Sequence, residues 1–511
     1  MKKIFTKSEN FKQEYCTSIV KIGPVLDIPN YDSIGVTTVD NFTMVVRKDE
    51  CKEGDILFYA ANESELNADF LSMNNLFEIG SYELNNNAND VKKLIDEGKS
   101  DEARKLVGFF NKYGRVKMIR LGGTPSFGFL FHKETVEKWD PSLKKINLED
   151  YIGEEFDTIN GVLFSKPYVP RIKVQEPHEH KSKHFKLHNK MLKKIERIVP
   201  GEFAYHYDTQ TLERNVKKLN PTDIVDISVK CDGTSFIMGN VKVRQPIVFK
   251  TKIAWLNDLI VRLYTHLPKS WQKFDEHYED VYSSRNKIRS GNEFYSGKVE
   301  INPDKNNLDV NYPTGLDSVF PQYGKILKDK IPNGITIYGE IVGYVPGTSV
   351  GIISRGGKVY DYGCKIGENK LMIYRVTEMD KNGSVREYEI SEVIKFQKDL
   401  IAKYPEIADN MFDLPLLYHG RLMDLYPISV EEHWHENLVR EMKLDKERFG
   451  MECKEKLCKN SVWREGVVIR VENDPIKEAY KLKCVKYLNQ ESEDISKGIV
   501  NDDMLEGYAT E

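Results

Sequence analysis

Across the first 140 residues the apolar positions fall in short runs: CTSIVKIGPVL, GVTTV, FTMVVRK, DILFYA, RVKMIRL and FGFLF. Between them lie the turn-forming stretches IPNY, VDN, KEGD and LGGTPS. Short β-rich runs at that spacing predict a small barrel or sandwich. One stretch, NDVKKLIDEGKSDEARKLVGFFNKY, carries opposite charges at helical spacing and predicts helix. Residues 141–200 are rich in Pro, His and Lys and read as a basic connector. From GEFAYHYD a second β-rich region continues past residue 480, broken by the helical patterns KIAWLNDLIVRLYTHL and VIKFQKDLIAKY. That mixture predicts an α+β domain over 201–490, with 491–511 as an acidic tail.

Composition narrows the class. A chain of 511 residues predicts two or three domains with ample core. No stretch approaches the ~20 apolar residues of a membrane span, and MKKIFTKSENFKQEY lacks the apolar centre of a secretory signal. Seven cysteines, sparse and odd in number, fit a reducing cytoplasm better than a disulfide scaffold. Cys453 and Cys458 in CKEKLC have no second Cys/His pair at zinc spacing, and His178/His180 and His433/His435 earn the same discount. Net charge is −4, so only local bias bears on polyanion binding. The local bias lies in residues 171–197, where nine Lys/Arg and four His face three Glu; a solvated helix and an RNA-backbone contact are equally good readings.

The chemistry gathers around SVKCDGTSF, residues 228–236. An Asp-Gly pair between apolar runs predicts a hairpin that holds Lys230 at its shoulder. Four further stretches follow in order. YSSRN offers the guanidinium of Arg285 to phosphate or ribose. ITIYGEIVGY places Glu340 after a glycine that permits close backbone approach, where it suits a sugar hydroxyl or metal-bound water. VWREGVVIRV leads an apolar strand with Glu465. YKLKCVKYL alternates so that Lys481 and Lys483 share one strand face, an arrangement favoured when an anion such as a triphosphate lies between them. A nucleophilic lysine with carboxylates, an arginine and a lysine pair meets the needs of nucleotidyl transfer. With an ordinary pKa near 10.4, only ~1 lysine in 2,500 is neutral at pH 7; the Lys481 and Lys483 cations and desolvation are expected to lower that of Lys230.

The ordered set KCDG, SSRN, YGE, EGVVIR and KLK resembles the signature of the covalent nucleotidyltransferases, the polynucleotide ligases and mRNA capping enzymes. The resemblance implies Lys230 as the residue that carries the nucleotide, Arg285 on phosphate and Glu340 on ribose. It implies Asp232, Glu340 and Glu465 around metal-bound water, Lys481 and Lys483 on the α-phosphate, and Tyr374 of LMIYRV stacked on the base. An aspartate commonly follows that aromatic, whereas this chain has Arg375. Only 28 residues follow Lys483, which leaves no room for the C-terminal OB domain of capping enzymes and DNA ligases. The leading stretch KIGPVLDIPNYDSIGVTTVDNFTMVVRKDECKEGDILFYA resembles instead the N-terminal OB domain of the Deinococcus-type RNA ligases. The implied fold is α+β: an OB-type β-barrel over 1–140, then an adenylation domain. The implied activity is ATP-dependent RNA ligation through lysyl-AMP and RNA-adenylate, with Mg²⁺ or Mn²⁺, RNA ends as partner and RNA repair in the cytoplasm as setting. A DNA ligase, a GTP-using capping enzyme and a non-catalytic RNA-binding protein are the alternatives. In the OB domain Phe42, Phe58 and Tyr59 are expected to be barrel core rather than a strand-tracking face.

Overall fold

The computed structural model describes residues 3–170, 198–247, 267–285, 288–289, 318–380, 382–426, 433–473, 475 and 477–499, with positions 252, 256, 260, 263 and 264. The basic stretch 171–197, most of KIAWLNDLIVRLYTHL and the end of the acidic tail lie outside the described residues. The chain divides into two compact units: 1–171 with 211–217 and 495–497, and the remainder.

The first unit is β-rich, as its short apolar runs require. Tyr31–Val39 and Phe42–Arg47 pair around Asp40-Asn41, both at positive φ (47° and 63°). Ile119–Leu121 and Thr124–Ser126 pair around Gly122-Gly123, also at positive φ. Both are two-residue turns of the kind whose twist matches that of the strands they join. The helical stretch resolves into Ala88–Asp96 and Ser100–Lys105, parted at Gly98. Phe58 and Tyr59 are buried, and Phe58 stacks on Phe131 at 5.6 Å; Phe42 is half-buried, 6.2 Å from Phe127. The strands form five small sheets of two to four strands, and among the described residues none closes into a barrel. The unit also runs past residue 140. Glu155–Phe156 pairs with Thr17–Lys21, and Ser165–Pro167 pairs with Ser64–Leu66. The front of the expected connector is thus structural, because Phe156, Ile159 and Phe164 are fully buried in the aromatic core.

In the second unit we number strands in chain order: β1 Ile224–Lys230, β2 Thr234–Pro246, β3 Phe274–Ser283, β4 Ile335–Gly343, β5 Asn369–Met379 and β6 Val385–Glu387. There follow β7 Met411–Phe412, β8 Leu416–Arg421, β9 Gly466–Val471 and β10 Ala479–Lys483. One sheet contains the antiparallel order β10-β9-β1-β8. The other is six-stranded, β3-β2-β4-β5-β6, with β7 alongside β5 in parallel. The period-two pattern explains the first sheet: Val225, Ile227 and Val229 of β1, Val467, Ile469 and Val471 of β9, and Tyr480 and Leu482 of β10 are buried. Helix α1, Ile390–Lys403, fulfils the VIKFQKDLIAKY pattern and is closed at its start by a capping box between Glu389 and Glu392.

The hairpin expected at Asp232-Gly233 is absent. β1 and β2 belong to different sheets, and Cys231–Gly233 is the crossing between them. Neither Asp232 nor Gly233 has positive φ, so the tight hairpin turn cannot form. The glycine is required for another reason. A Cβ on Gly233 would lie 2.4 Å from the Ile341 carbonyl oxygen and 2.8 Å from Glu340 Cγ. Gly233 lets the crossing pass against β4.

Candidate active site

Lys230 is the last residue of β1, directly opposite Gly466 of β9, which in turn faces Lys483 of β10. The row is close because Gly466 has no side chain; a Cβ there would stand 2.1 Å from the Leu482 carbonyl oxygen. Glu465, one residue earlier and almost wholly buried, reaches both amines: Oε1 is 2.8 Å from Lys230 Nζ and 3.6 Å from Lys483 Nζ. Lys483 also pairs with Glu491 at 3.2 Å. Lys481 shares the strand face of Lys483, with Tyr480 and Leu482 buried on the other side, and lies opposite Val468.

The electrostatics reverse one expectation. Burial pulls the Lys230 pKa down, but the carboxylates of Glu465, Glu340 and Asp232 outweigh it and hold Lys230 well above the ordinary lysine value. The anticipated net lowering does not occur, because the three carboxylates prevail. Burial raises the Glu465 carboxyl above its usual range despite Lys230 and Lys483. Glu491 is driven the opposite way, to about 2: burial resists, yet Lys483 and Arg355 prevail.

Asp232 is pinned rather than open. Its Oδ2 accepts from Tyr487 Oη at 2.7 Å and from Arg355 Nε at 3.2 Å, while its backbone N–H donates to Tyr362 Oη at 2.7 Å. Cys231 is buried, just past the end of β1.

Glu340 on β4 sits opposite Ser235 and Met372. Across from it, β5 carries a bulge: Tyr338 faces Arg375 and Gly339 faces Ile373, which leaves Tyr374 as the extra residue. Bulges re-aim side chains. Tyr374 Oη comes within 3.5 Å of His206 Nδ1, and burial together with Glu340 raises its phenol pKa. Arg285 pairs with exposed Asp208 at 2.8 Å, and its carbonyl accepts from the His206 N–H at 3.4 Å. His206 is pushed down to about 3, by burial first and then by Arg285, so it is neutral.

The fold therefore gathers Lys230, Asp232, Glu340, Glu465 and Lys483 into one interacting set, with Tyr374 and Arg285 joined to it through His206. Lys481 is placed by strand register. His206, Arg355, Tyr487 and Glu491 are partners that sequence reasoning missed. Glu491 was assigned to the acidic tail, but a helix, Val485–Ser496, runs through it. The Tyr-x-x-x-Glu spacing from Tyr487 to Glu491, an i,i+4 pair, was the available signal. Arg375 is buried and pairs with Glu387 at 2.9 Å while donating to the Lys477 carbonyl at 3.1 Å. The departure from the usual aspartate is thereby part of a core ion pair.

Among the described residues no group of three or more His, Cys, Asp or Glu is placed to hold a metal ion. Glu465 Oε2, however, is buried without a hydrogen-bond partner. A metal-bound water would satisfy it, and Mg²⁺ characteristically binds through few carboxylates, retained waters and substrate phosphates.

No family model matches the chain, and no curated protein matches its sequence. Solved structures do show similarity. Naegleria gruberi RNA ligase with pyrophosphate shares 14% identity over 94% of this chain and 100% of that one, with a TM-score of 0.48. A glutamate-to-alanine mutant of the same ligase with ATP and Mn shares 14% identity over 93% and 98%, with a TM-score of 0.49. A lysine-to-alanine mutant with ATP and Mn shares 15% identity over 93% and 98%, with a TM-score of 0.47. No helix among the described residues is long and apolar enough to cross a membrane.

Proposed function

We propose that this chain is an ATP-dependent RNA ligase that works through a lysyl-AMP adduct on Lys230. The observation that carries the reading is the row Lys230–Gly466–Lys483, with Glu465 bridging both amines. An amine at a strand end, held by a buried carboxylate and flanked by a second cation, is equipped to attack a phosphoryl group.

In the first step the Lys230 ammonium gives its proton to Glu465, whose raised pKa suits it as acceptor. The Nζ lone pair then forms a bond to the α-phosphorus of ATP as the α–β bridging P–O bond breaks and pyrophosphate leaves. Lys483 and Lys481 line the face where the α-phosphate oxygens would lie; Arg285 would hold phosphate, Glu340 the ribose and Tyr374 the base. In the second step a 5′-phosphate of RNA takes the AMP and Lys230 regains its proton. In the third a ribose 3′-hydroxyl attacks the activated phosphate, a phosphodiester forms and AMP departs. A Mg²⁺ or Mn²⁺ near Glu465, with Asp232 and Glu340 contributing through water, would neutralise charge on the phosphates.

On this reading 201–490 is the adenylation domain, and the first unit corresponds to the leading OB-type domain of Deinococcus-type ligases, in line with the resemblance of residues 21–60. Joining of broken strands in RNA repair, in the cytoplasm, is the corresponding role.

Incubation with α-labelled ATP and Mg²⁺ or Mn²⁺, followed by a denaturing gel, tests the reading. Label on wild type and none on Lys230→Ala is expected. Labelling by GTP in place of ATP would indicate a capping enzyme, and no label on folded wild type would leave a non-catalytic RNA-binding protein.

A further inference from the structure

Trp463 lies two residues before Glu465 and forms a β-bridge with Lys454. Lys454 Nζ stands 3.4 Å from the centre of its ring, and Lys486 Nζ 4.3 Å. Lys454 and Lys358 both donate to the Ser461 carbonyl, at 3.4 and 3.3 Å, and Lys486 donates to the Glu452 carbonyl at 3.0 Å. Two ammonium groups thus lie over one indole, and a third, Lys358, meets Lys454 at the Ser461 carbonyl.

None of the three has a carboxylate partner among the described residues. The nearby acids are committed elsewhere. Glu455 pairs with buried Arg464 at 2.8 Å. Asp361 accepts from the backbone N–H groups of Gly363, Lys459 and Asn460. The Glu452 carboxylate accepts from the Val485 and Lys486 N–H groups at the start of a helix. Partial loss of hydration, and then repulsion from Lys358 and Lys486, depress the Lys454 pKa. The backbone at Trp463 is anchored: Tyr360 Oη donates to the Trp463 carbonyl at 2.6 Å.

We propose that Lys454 and Lys486, over the Trp463 ring, together with Lys358 beside Lys454, bind the phosphodiester backbone of the RNA strand that the active site joins. The inference rests on the ligase reading. Unpaired like charges held together are relieved by a polyanion, and lysine binds phosphate as a point charge. Trp463 lies two residues before Glu465, and two residues of even fully extended chain span at most ~7 Å. A strand with its 5′-phosphate at Lys230 must lay its next phosphates near that distance, whatever its sequence. An acidic peptide would supply charge there only by a particular sequence.

The test is binding of a fluorescent, 5′-phosphorylated nicked RNA duplex, read by anisotropy between 50 and 200 mM salt. The variant Lys358→Ala/Lys454→Ala/Lys486→Ala should bind at least tenfold more weakly at the low-salt end. Its plot of log affinity against log salt should flatten by about 3. Self-labelling by ATP should be unchanged, and the triple Lys→Arg variant should bind as wild type does. Unchanged affinity and slope in the alanine variant overturn the proposal. Should that variant fail to fold, Lys358→Glu alone, at an exposed position, must weaken binding severalfold; full-strength binding overturns the proposal equally. The two readings fail separately. Wild type that binds RNA through these lysines but is never labelled refutes the ligase, whereas labelled variants with intact RNA affinity refute only the lysine site.

Discussion

Glu465 Oε1 lies 2.8 Å from Lys230 Nζ, and Lys230 faces not Glu465 but Gly466 in the strand ladder. The carboxylate reaches the amine from one residue before the register position, past a glycine that cannot obstruct it. On the proposed ligase reading Glu465 is the proton acceptor, and Glu465→Gln keeps the shape while removing that capacity. Lysyl-AMP formation in Glu465→Gln is expected to fall by at least 100-fold, in the range general-base loss gives. Quench-flow labelling with ATP reads it; a loss under threefold would mean that the carboxylate only positions Lys230.

Because carboxylates hold Lys230 above the ordinary lysine value, the amine is protonated at neutral pH and a proton must leave before attack. Where Glu465 takes that proton directly, the pair's total proton count does not change and the single-turnover rate of adduct formation should stay nearly flat between pH 6 and 8; in Glu465→Gln the proton must go to solvent, and the rate should climb about tenfold per pH unit. A tenfold climb in wild type would show that Glu465 is not the proton acceptor.

Gly233→Ala tests the sheet crossing. The added Cβ would meet the Ile341 carbonyl oxygen at 2.4 Å, a backbone atom with no rotamer to yield. A cost of about 1–3 kcal/mol is expected from overpacking, together with loss of adduct formation as Lys230 is displaced. Urea unfolding and ATP labelling measure the two effects. Full stability in the alanine variant would refute the close-approach account.

Much of this site was legible because its strands obey period two. The sharing of one face by Lys481 and Lys483, with Tyr480 and Leu482 buried on the other, follows from local alternation. The failures were of long-range partnership. Asp232-Gly233 looks like a hairpin because local sequence does not say which sheet the next strand joins. Arg355 and Tyr487 reach Asp232 from 123 and 255 residues away, and no pattern in the chain links them. The pKa of Lys230 was misjudged for the same reason. Lys481 and Lys483 were visible as a pair, whereas the distances that let Glu465 and Glu340 outweigh them exist only in the fold.

Arg375 offers a test of why the chain departs from the aspartate expected after Tyr374. Its guanidinium pairs with buried Glu387, which Arg470 also approaches at 3.4 Å. Arg375→Asp would put a second carboxylate against Glu387 and remove a buried cation, a change that typically costs about 3–5 kcal/mol. The variant should unfold at markedly lower urea than wild type. Near-normal stability would show that Arg470 alone can balance Glu387.

Glu491 carries the clearest pH dependence of stability. Its folded pKa is lowered to about 2, chiefly by Lys483 and Arg355 working against burial, from an ordinary value near 4.5. A carboxyl whose pKa is depressed by folding stabilises above its unfolded pKa, and that stabilisation drains away as pH falls through 4.5 toward 2. At pH 7 the full effect is present, roughly 3 kcal/mol for a shift of this size. Glu491→Gln should therefore melt below wild type at pH 7, and the gap should shrink as pH is lowered from 5 to 3. His206 acts over a higher window. Its folded pKa of about 3 lies below the ordinary 6.5, so the unfolded chain takes up a proton that the folded one refuses, and stability is lost as pH falls below 6.5. His206→Asn should flatten the wild-type decline between pH 6.5 and 4.5, where Glu491→Gln leaves it nearly untouched. Calorimetry of the two variants across pH 3 to 7 separates the windows. A constant Glu491→Gln gap down to pH 3 would mean that the pairing with Lys483 and Arg355 does not set the charge state of this carboxyl.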